Sequence, residues 1–420
     1  GTRIHHLEKL AMTSRSPYQR HRDQVESAAY EPYHYNGKDG SGDYGSYPVD
    51  VRQRSIDDVV TPRFKEIINA GGIVNNPCTM GVSSKYEGDG TWSADRESTG
   101  FWSIGTGPVT SHLYSKTWGT VPKDPSDVGQ PFEYLDGVSK QAAIAGIDKT
   151  PYAFGEDVAE IRETLRLLRH PLESIHLLTR RHTGFSLGRL SLMRAKELAQ
   201  VWATWRWGIT PLVQSTANLM ESIVKRRPAL PPRLSSSWVA RSEESDSETL
   251  PRSISLASAK TLHFWHDVSV ERTSHAVILY EVKNPVRDWR YTYGLRLKDI
   301  PSTMWQVVPL SFMVDRLVNI NWAIQGLTNL ADPSIVILSG SLTRRETVTE
   351  SLQLTGAIAE PSWSVEANGG LRSFRNFSYH RRPWQPTVGD VVPTLQLGNL
   401  VKDAQSILDL LAVILTRSKV

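Results

Sequence analysis

The residues of this chain whose types and spacing could do chemistry are its arginines. Between Phe154 and Arg227 there are twelve Lys or Arg against seven acidic residues. Arg162, Arg166, Arg169, His176 and Arg180 recur at helical spacing beside an apolar seam, and Arg181 follows. Arg189, Arg194, Lys196, Arg206, Lys225, Arg226 and Arg227 continue the excess along a second segment. Guanidinium forks match phosphate oxygens and stack on bases. Two adjacent basic helices, with Arg417 and Lys419 near the end of the chain, therefore point to RNA or another polyanion. For one helix alone, a solvated face with pairs such as Arg166 with Glu163 accounts for the same residues.

Other chemistry has less to stand on. Neither a His-Glu-x-x-His helix nor a pair of cysteines is present, and the single Cys78 excludes an internal disulfide. The His5-His6 pair reads as solvated, and Gly105-Thr-Gly107 as a turn. The glycines of Gly37 to Gly45 read as a flexible loop without a Walker pattern. No metal, cofactor or catalytic residue is assigned, and the chain is read as a non-enzyme. The net charge of +4 does not announce a nucleic-acid binder by itself, so the clustering carries that inference. The longest uninterrupted apolar run, Leu410 to Leu415, is far short of a membrane span, and a soluble product of the cytoplasm is expected.

The elements that must position these arginines are helices. Val158, Ile161, Leu165, Leu168, Leu172 and Ile175 form one seam from about Glu156 to His182. A second helix, about Leu187 to Lys225, carries Trp202, Trp205, Arg206, Gly208 and Pro211, with a bend predicted at the Gly and Pro. Helical periodicity returns over Thr303 to Leu330 and Leu397 to Leu415. Strands and hairpins are predicted over Gly72 to Val121, Ser235 to Val282 and Ser334 to Tyr379. Within these, Ser111 to Trp118 reads as a strand and Ser242 to Thr249 as an acidic loop. Residues 122–153 read as a connector. The expected architecture is α+β: a helical bundle built from three discontinuous blocks plus an antiparallel β-sheet region. The expected blocks are an N-terminal arm and β region (1–153), the RNA-facing helices (154–230), a β region (231–285), helices (286–332), a β region (333–393) and a C-terminal helix (394–420). Asp315 sits in an otherwise apolar run and needs a partner, for which Arg206 is proposed.

Two stretches resemble the maturation (A) proteins of single-stranded RNA bacteriophages. One is Trp202-x-x-x-Arg206-Trp-Gly208-Ile-x-Pro211-Leu212. The other is Trp305-x-x-x-Pro309-Leu-Ser311-Phe312-Met-Val314-Asp315, with Leu310 and Arg316 where the family often has Tyr and Trp. The resemblance implies an elongated virion component, made in the host cytoplasm, one copy of which replaces a coat-protein dimer in the capsid. Its helical part would bind a hairpin near the 3′ end of the genomic RNA. Its β part, with the Tyr- and Trp-rich hairpins of residues 73–121 and 335–379, would project to a retractile bacterial pilus. The two motifs themselves look structural. An enzyme acting on nucleic acid or cell wall through a non-local site, a pure adhesin without RNA binding, and a host-lysis activity are the other classes.

Overall fold

The computed structural model describes residues 16–115, 117–119, 122–149, 233–254, 259–283, 297–307, 315, 318–359 and 361–393. Among them 59% lie in strands and 23% in helices. The expected α+β division, with its three-block helical bundle, is overturned for these residues: they build one antiparallel sheet with few and short helices. The predicted helices at 156–182, 187–225 and 397–415 fall outside the described residues.

The strands are β1 (Tyr18–Gly37), β2 (Gly40–Val60), β3 (Cys78–Glu87), β4 (Gly90–Arg96), β5 (Phe101–Gly107), β6 (Thr117–Gly119), β7 (Leu234–Ile254), β8 (Ala259–Val282), β9 (Ile335–Ala359), β10 (Ser364–Gly369) and β11 (Arg372–Trp384). They hydrogen-bond in the order β10-β4-β5-β1-β2-β3-β11-β9-β8-β7-β6. The helices are α1 (Phe64–Asn69), α2 (Val109–Ser115), α3 (Phe132–Ala145), α4 (Ile300–Val307) and α5 (Ile320–Ala331).

β1 and β2 occupy the stretch that reads as a polar arm. Their long hairpin turns through only Lys38 and Asp39, so most of the glycine-rich segment is strand and not loop. Opposite charges across the strands stand in for an apolar stripe: Arg20 faces Asp58, His21 faces Asp57 and His34 faces Asp43. Such cross-strand pairs favour this register over one that sets like charges opposite each other. Two exposed faces give no hydrophobic alternation to detect.

The strand alternation expected in 235–282 is present. Along β8, Leu262, Phe264, Val268, Val270, Ala276 and Ile278 are all at most 2% exposed. The intervening inward positions His266, Arg272 and Ser274 are equally buried and each is bonded. Ser242 to Thr249 is the middle of β7 rather than a loop. Its acidic side chains have partners, Asp246 bonding Lys123 from the segment after β6 and Glu248 lying 3.2 Å from His266 Nδ1 on β8. Ser111 also departs from expectation. Gly107 at φ 107° ends β5, and Val109 and Leu113, four residues apart and fully buried, belong to α2. β-branched and aromatic residues had disguised a helical turn as a strand.

The described residues divide into two compact units. One comprises Gly1–Ser139, Val239–Ala276 and Ser339–Gln385, the other Lys140–Trp238, Val277–Leu338 and Pro386–Val420. In the first, Tyr33, Trp92, Val109, Leu113, Leu250, Leu262, Phe264, Leu352 and Leu354 form the main core, with a satellite of Val128, Val268, Val270 and Val348. Helix α3, in the stretch read as a connector, escapes sequence detection because its buried positions include Asp136, Ser139 and Gln141 beside Leu135, Val138 and Ala142. Asp136 accepts hydrogen bonds from Ser274 Oγ at 2.6 Å and from Arg344 Nε and Nη2 at 2.9 and 2.6 Å. In the second unit, Asn329 Nδ2 donates to the carbonyls of Ile144 and Ala145, satisfying groups that the end of α3 leaves open. The helical text over 303–330 is α4 and α5, with Asn319 in the left-handed region (φ 49°) just before α5. Among the described residues no helix is long and apolar enough to cross a membrane.

Candidate nucleic-acid interface

Pairing across five strands brings arginines that are far apart in the chain onto one sheet face. Directly paired residues point to the same side of a sheet. Going across β1, β2, β3, β11 and β9, one row reads Arg22, Ile56, Met80, Tyr379, Arg345, and the next Gln24, Arg54, Val82, Phe377, Thr347. The rows beside them contribute Arg52, Ser84, Arg375 and Thr349 on one side, and Arg20, Asp58, Cys78, Arg381 and Thr343 on the other. A last row carries Asp50, Tyr86, Ser373 and Ser351. The face thus holds seven arginines against Asp50 and Asp58, with three aromatic rings between them.

The opposite face carries Glu87, Lys85, Arg372 and Arg344, which meet α2 and α3. Ser111 donates from its backbone N–H to Glu87 at 2.7 Å, and Lys85 Nζ lies 3.3 Å from the same carboxylate. Burial pushes the Lys85 ammonium below its usual range and Arg372 adds repulsion, while Glu87 opposes the shift. The arginine face is open to solvent: Arg22, Arg52, Arg54, Arg345 and Arg375 are exposed, and Tyr86 is 58% exposed.

Local contacts hold the guanidinium groups upright among the rings. Arg345 lies 5.8 Å from the centre of the Tyr379 ring, and Arg54 Nη2 is 3.7 Å from Met80 Sδ. Asp58 is committed to Arg20, with Nε to Oδ1 at 2.9 Å, and sits 3.6 Å from Arg22. The hydrogen bond from Arg20 holds the Asp58 carboxyl below its ordinary value, more than offsetting its desolvation. What this arrangement can do is bind a polyanion that also has flat rings: arginines for phosphates, and Tyr86, Phe377 and Tyr379 as stacking platforms.

The arginines singled out from the sequence, Arg162, Arg166, Arg169, Arg180, Arg181, Arg189, Arg194, Arg226, Arg227 and Arg417, lie outside the described residues, as do His176, Lys225 and Lys419. So do Trp202, Trp205, Arg206, Gly208, Pro211, Pro309, Ser311 and Phe312. Of the second motif, Trp305 and Asp315 are described, and its two ends are joined: Trp305 Nε1 lies 3.0 Å from both Asp315 oxygens. Asp315 Oδ1 also accepts from the Asn321 N–H at 2.9 Å, near the start of α5. The carboxylate therefore has partners within its own stretch of chain, whereas the proposed pairing with Arg206 lies outside the described residues.

Sequence reading missed the sheet face because its arginines come from four segments, with only Arg20-x-Arg22 and Arg52-x-Arg54 showing the alternation locally. It also passed over two spacings. Gly40-Ser-Gly-Asp-Tyr-Gly45 has the glycine spacing of a dinucleotide loop but lies inside β2, with no helix following to receive a phosphate. Gly184-Phe-Ser-Leu-Gly188 has the spacing of a nucleophile elbow and falls outside the described residues. Among the described residues no three His, Cys, Asp or Glu side chains are grouped to hold a metal ion.

No protein-family model matches the sequence, and no curated protein matches it.

Proposed function

We propose that this chain is an RNA-binding virion protein of the maturation type, a binding protein rather than an enzyme. The observation that carries the RNA part is the exposed sheet face with seven arginines interleaved with Tyr86, Phe377 and Tyr379. The basic segment 154–227 adds a second cationic element in the sequence. The wider role comes from the two motifs: incorporation in the capsid in place of a coat-protein dimer, capture of the 3′ region of the genome, and adsorption to a retractile pilus. Because the arginine face takes β3, β9 and β11 out of the stretches 73–121 and 335–379 that the resemblance turns to the pilus, the hairpin of β4 and β5, which exposes Trp102 and Ile104, is the part offered to the host.

The test is filter binding of the full chain to the genomic RNA over a salt series. Single-stranded RNA binding should weaken with a log–log slope of roughly 0.7 per phosphate neutralised. Replacing Arg52, Arg54, Arg345 and Arg375 together by Ala should reduce that slope by about two to three, and Arg162, Arg166 and Arg169 changed to Ala form the parallel arm for the helical segment. A chain that ignores genomic RNA, or a slope that both sets of substitutions leave intact, removes the proposal.

A further inference from the structure

Beside the arginines, on the same sheet face, lies a concavity of about 300 Å³ with different chemistry. It is lined by Ser245, Ser247, Ser269, Thr349, Ser351 and Asp267, with Val268 at its floor between the two β8 residues. Among the described residues none of the five hydroxyls has a hydrogen-bond partner, so each is available as both donor and acceptor. Asp267 Oδ1 accepts from Trp265 Nε1 at 2.9 Å, which leaves Oδ2 open and holds the indole, 40% exposed, next to Asp267 and outside the lining itself. Asp246 also borders it, but its carboxylate is paired with Lys123. No Lys or Arg lines the site, and Arg375 stands one strand away opposite Thr349.

We propose that this concavity binds a neutral sugar ring, a pyranose unit of a surface glycan. The match is chemical. A pyranose presents several hydroxyls, each needing both a donor and an acceptor, and one apolar C–H face. Five free hydroxyls and an open carboxylate oxygen supply the first, and the exposed Trp265 ring bonded to Asp267 is the apolar surface offered to the second. A phosphate is disfavoured, because the one open charge in the site is negative. The volume is at the small end for organic ligands, in keeping with a terminal sugar rather than a folded partner. This site stands apart from the RNA reading: it shares a sheet face with the arginines but uses none of them.

Saturation-transfer NMR on the full chain, with methyl glycosides of glucose, galactose, mannose and N-acetylglucosamine as probes, tests it. At least one probe should receive saturation on its apolar face. Trp265→Ala and Asp267→Asn should each weaken that binding by about tenfold, the weight of one good polar or stacking contact, while leaving poly(U) binding unchanged. Both side chains are exposed, so these variants should fold, which circular dichroism confirms independently. The proposal is overturned if no probe is saturated, if binding survives both substitutions, or if poly(U) displaces the sugar and the two variants weaken poly(U) instead. That last outcome would assign the concavity to RNA and leave the arginine face standing.

Discussion

Removing the Asp136 carboxylate should loosen the first unit more than any other single truncation on its helix. Its side chain is 6% exposed and lies 2.6 Å from Arg344 Nη2, itself 27% exposed, and Ser274 Oγ donates to the other oxygen. Breaking a buried pair by deleting one partner typically destabilises by about 3–5 kcal/mol, because the remaining charge is stranded. Partial exposure of Arg344 lets water reach it, and Ser274 keeps Ser139 Oγ at 3.0 Å. The lower end, about 3 kcal/mol, is therefore expected for Asp136→Ala. At roughly 2–4 °C per kcal/mol for a unit of this size, the melting point should fall by about 6–12 °C. Thermal unfolding followed by circular dichroism measures it. Asp136→Leu combined with Arg344→Met should recover most of the loss, since an apolar pair of similar volume replaces a buried ion pair at little cost. An Asp136→Ala variant melting within about 2 °C of the parent, a shift under 1 kcal/mol, would show that α3 is not held to the sheet through this carboxylate.

Three further outcomes are expected. Trp305→Phe keeps an aromatic ring but loses the indole donor to Asp315; a loss of about 1–3 kcal/mol, for a carboxylate left with the Asn321 N–H, should appear in chemical denaturation, and an unchanged midpoint would deny the motif its structural role. Burial pushes Asp390 up, but hydrogen bonds from Lys140 and Thr387 outweigh it and hold the carboxyl below its ordinary value. The folded-state value being depressed, its contribution is present above the unfolded value of about 3.9 and is lost as pH falls through the folded one. Asp390→Asn should thus flatten the acid limb of stability against pH, and identical limbs would refute the pairing. Lys85 has the opposite sense: its folded value is lowered, so the native state sheds its proton first and stability should rise between that value and about 10.4, a rise that Lys85→Met abolishes in alkaline melts.

The sequence by itself settled what a period of two with an apolar face reveals. Leu262, Phe264, Val268, Val270, Ala276 and Ile278 announce β8, and Leu342, Val348, Leu352 and Leu354 mark β9 within the hairpin text of 334–379, because these two strands bury one side against a core. It failed where the buried or paired residues are polar. β1 and β2 are stitched by Arg20 with Asp58 and His21 with Asp57, and α3 turns Asp136, Ser139 and Gln141 inward, so neither leaves a hydrophobic signature. The helical bias of the expectation came from periodic segments that lie outside the described residues, and it hid how much of the remainder pairs into one sheet.

The candidate interface divides in the same way. Arginine content and its preference for phosphate are properties of composition, readable from the chain alone. That Arg22 and Arg345, more than three hundred positions apart, stand in one row with Tyr379 between them is set by strand register. Register is a relation between distant segments, and a shift of one residue would turn every one of those side chains to the other face. Only the assembled sheet decides it.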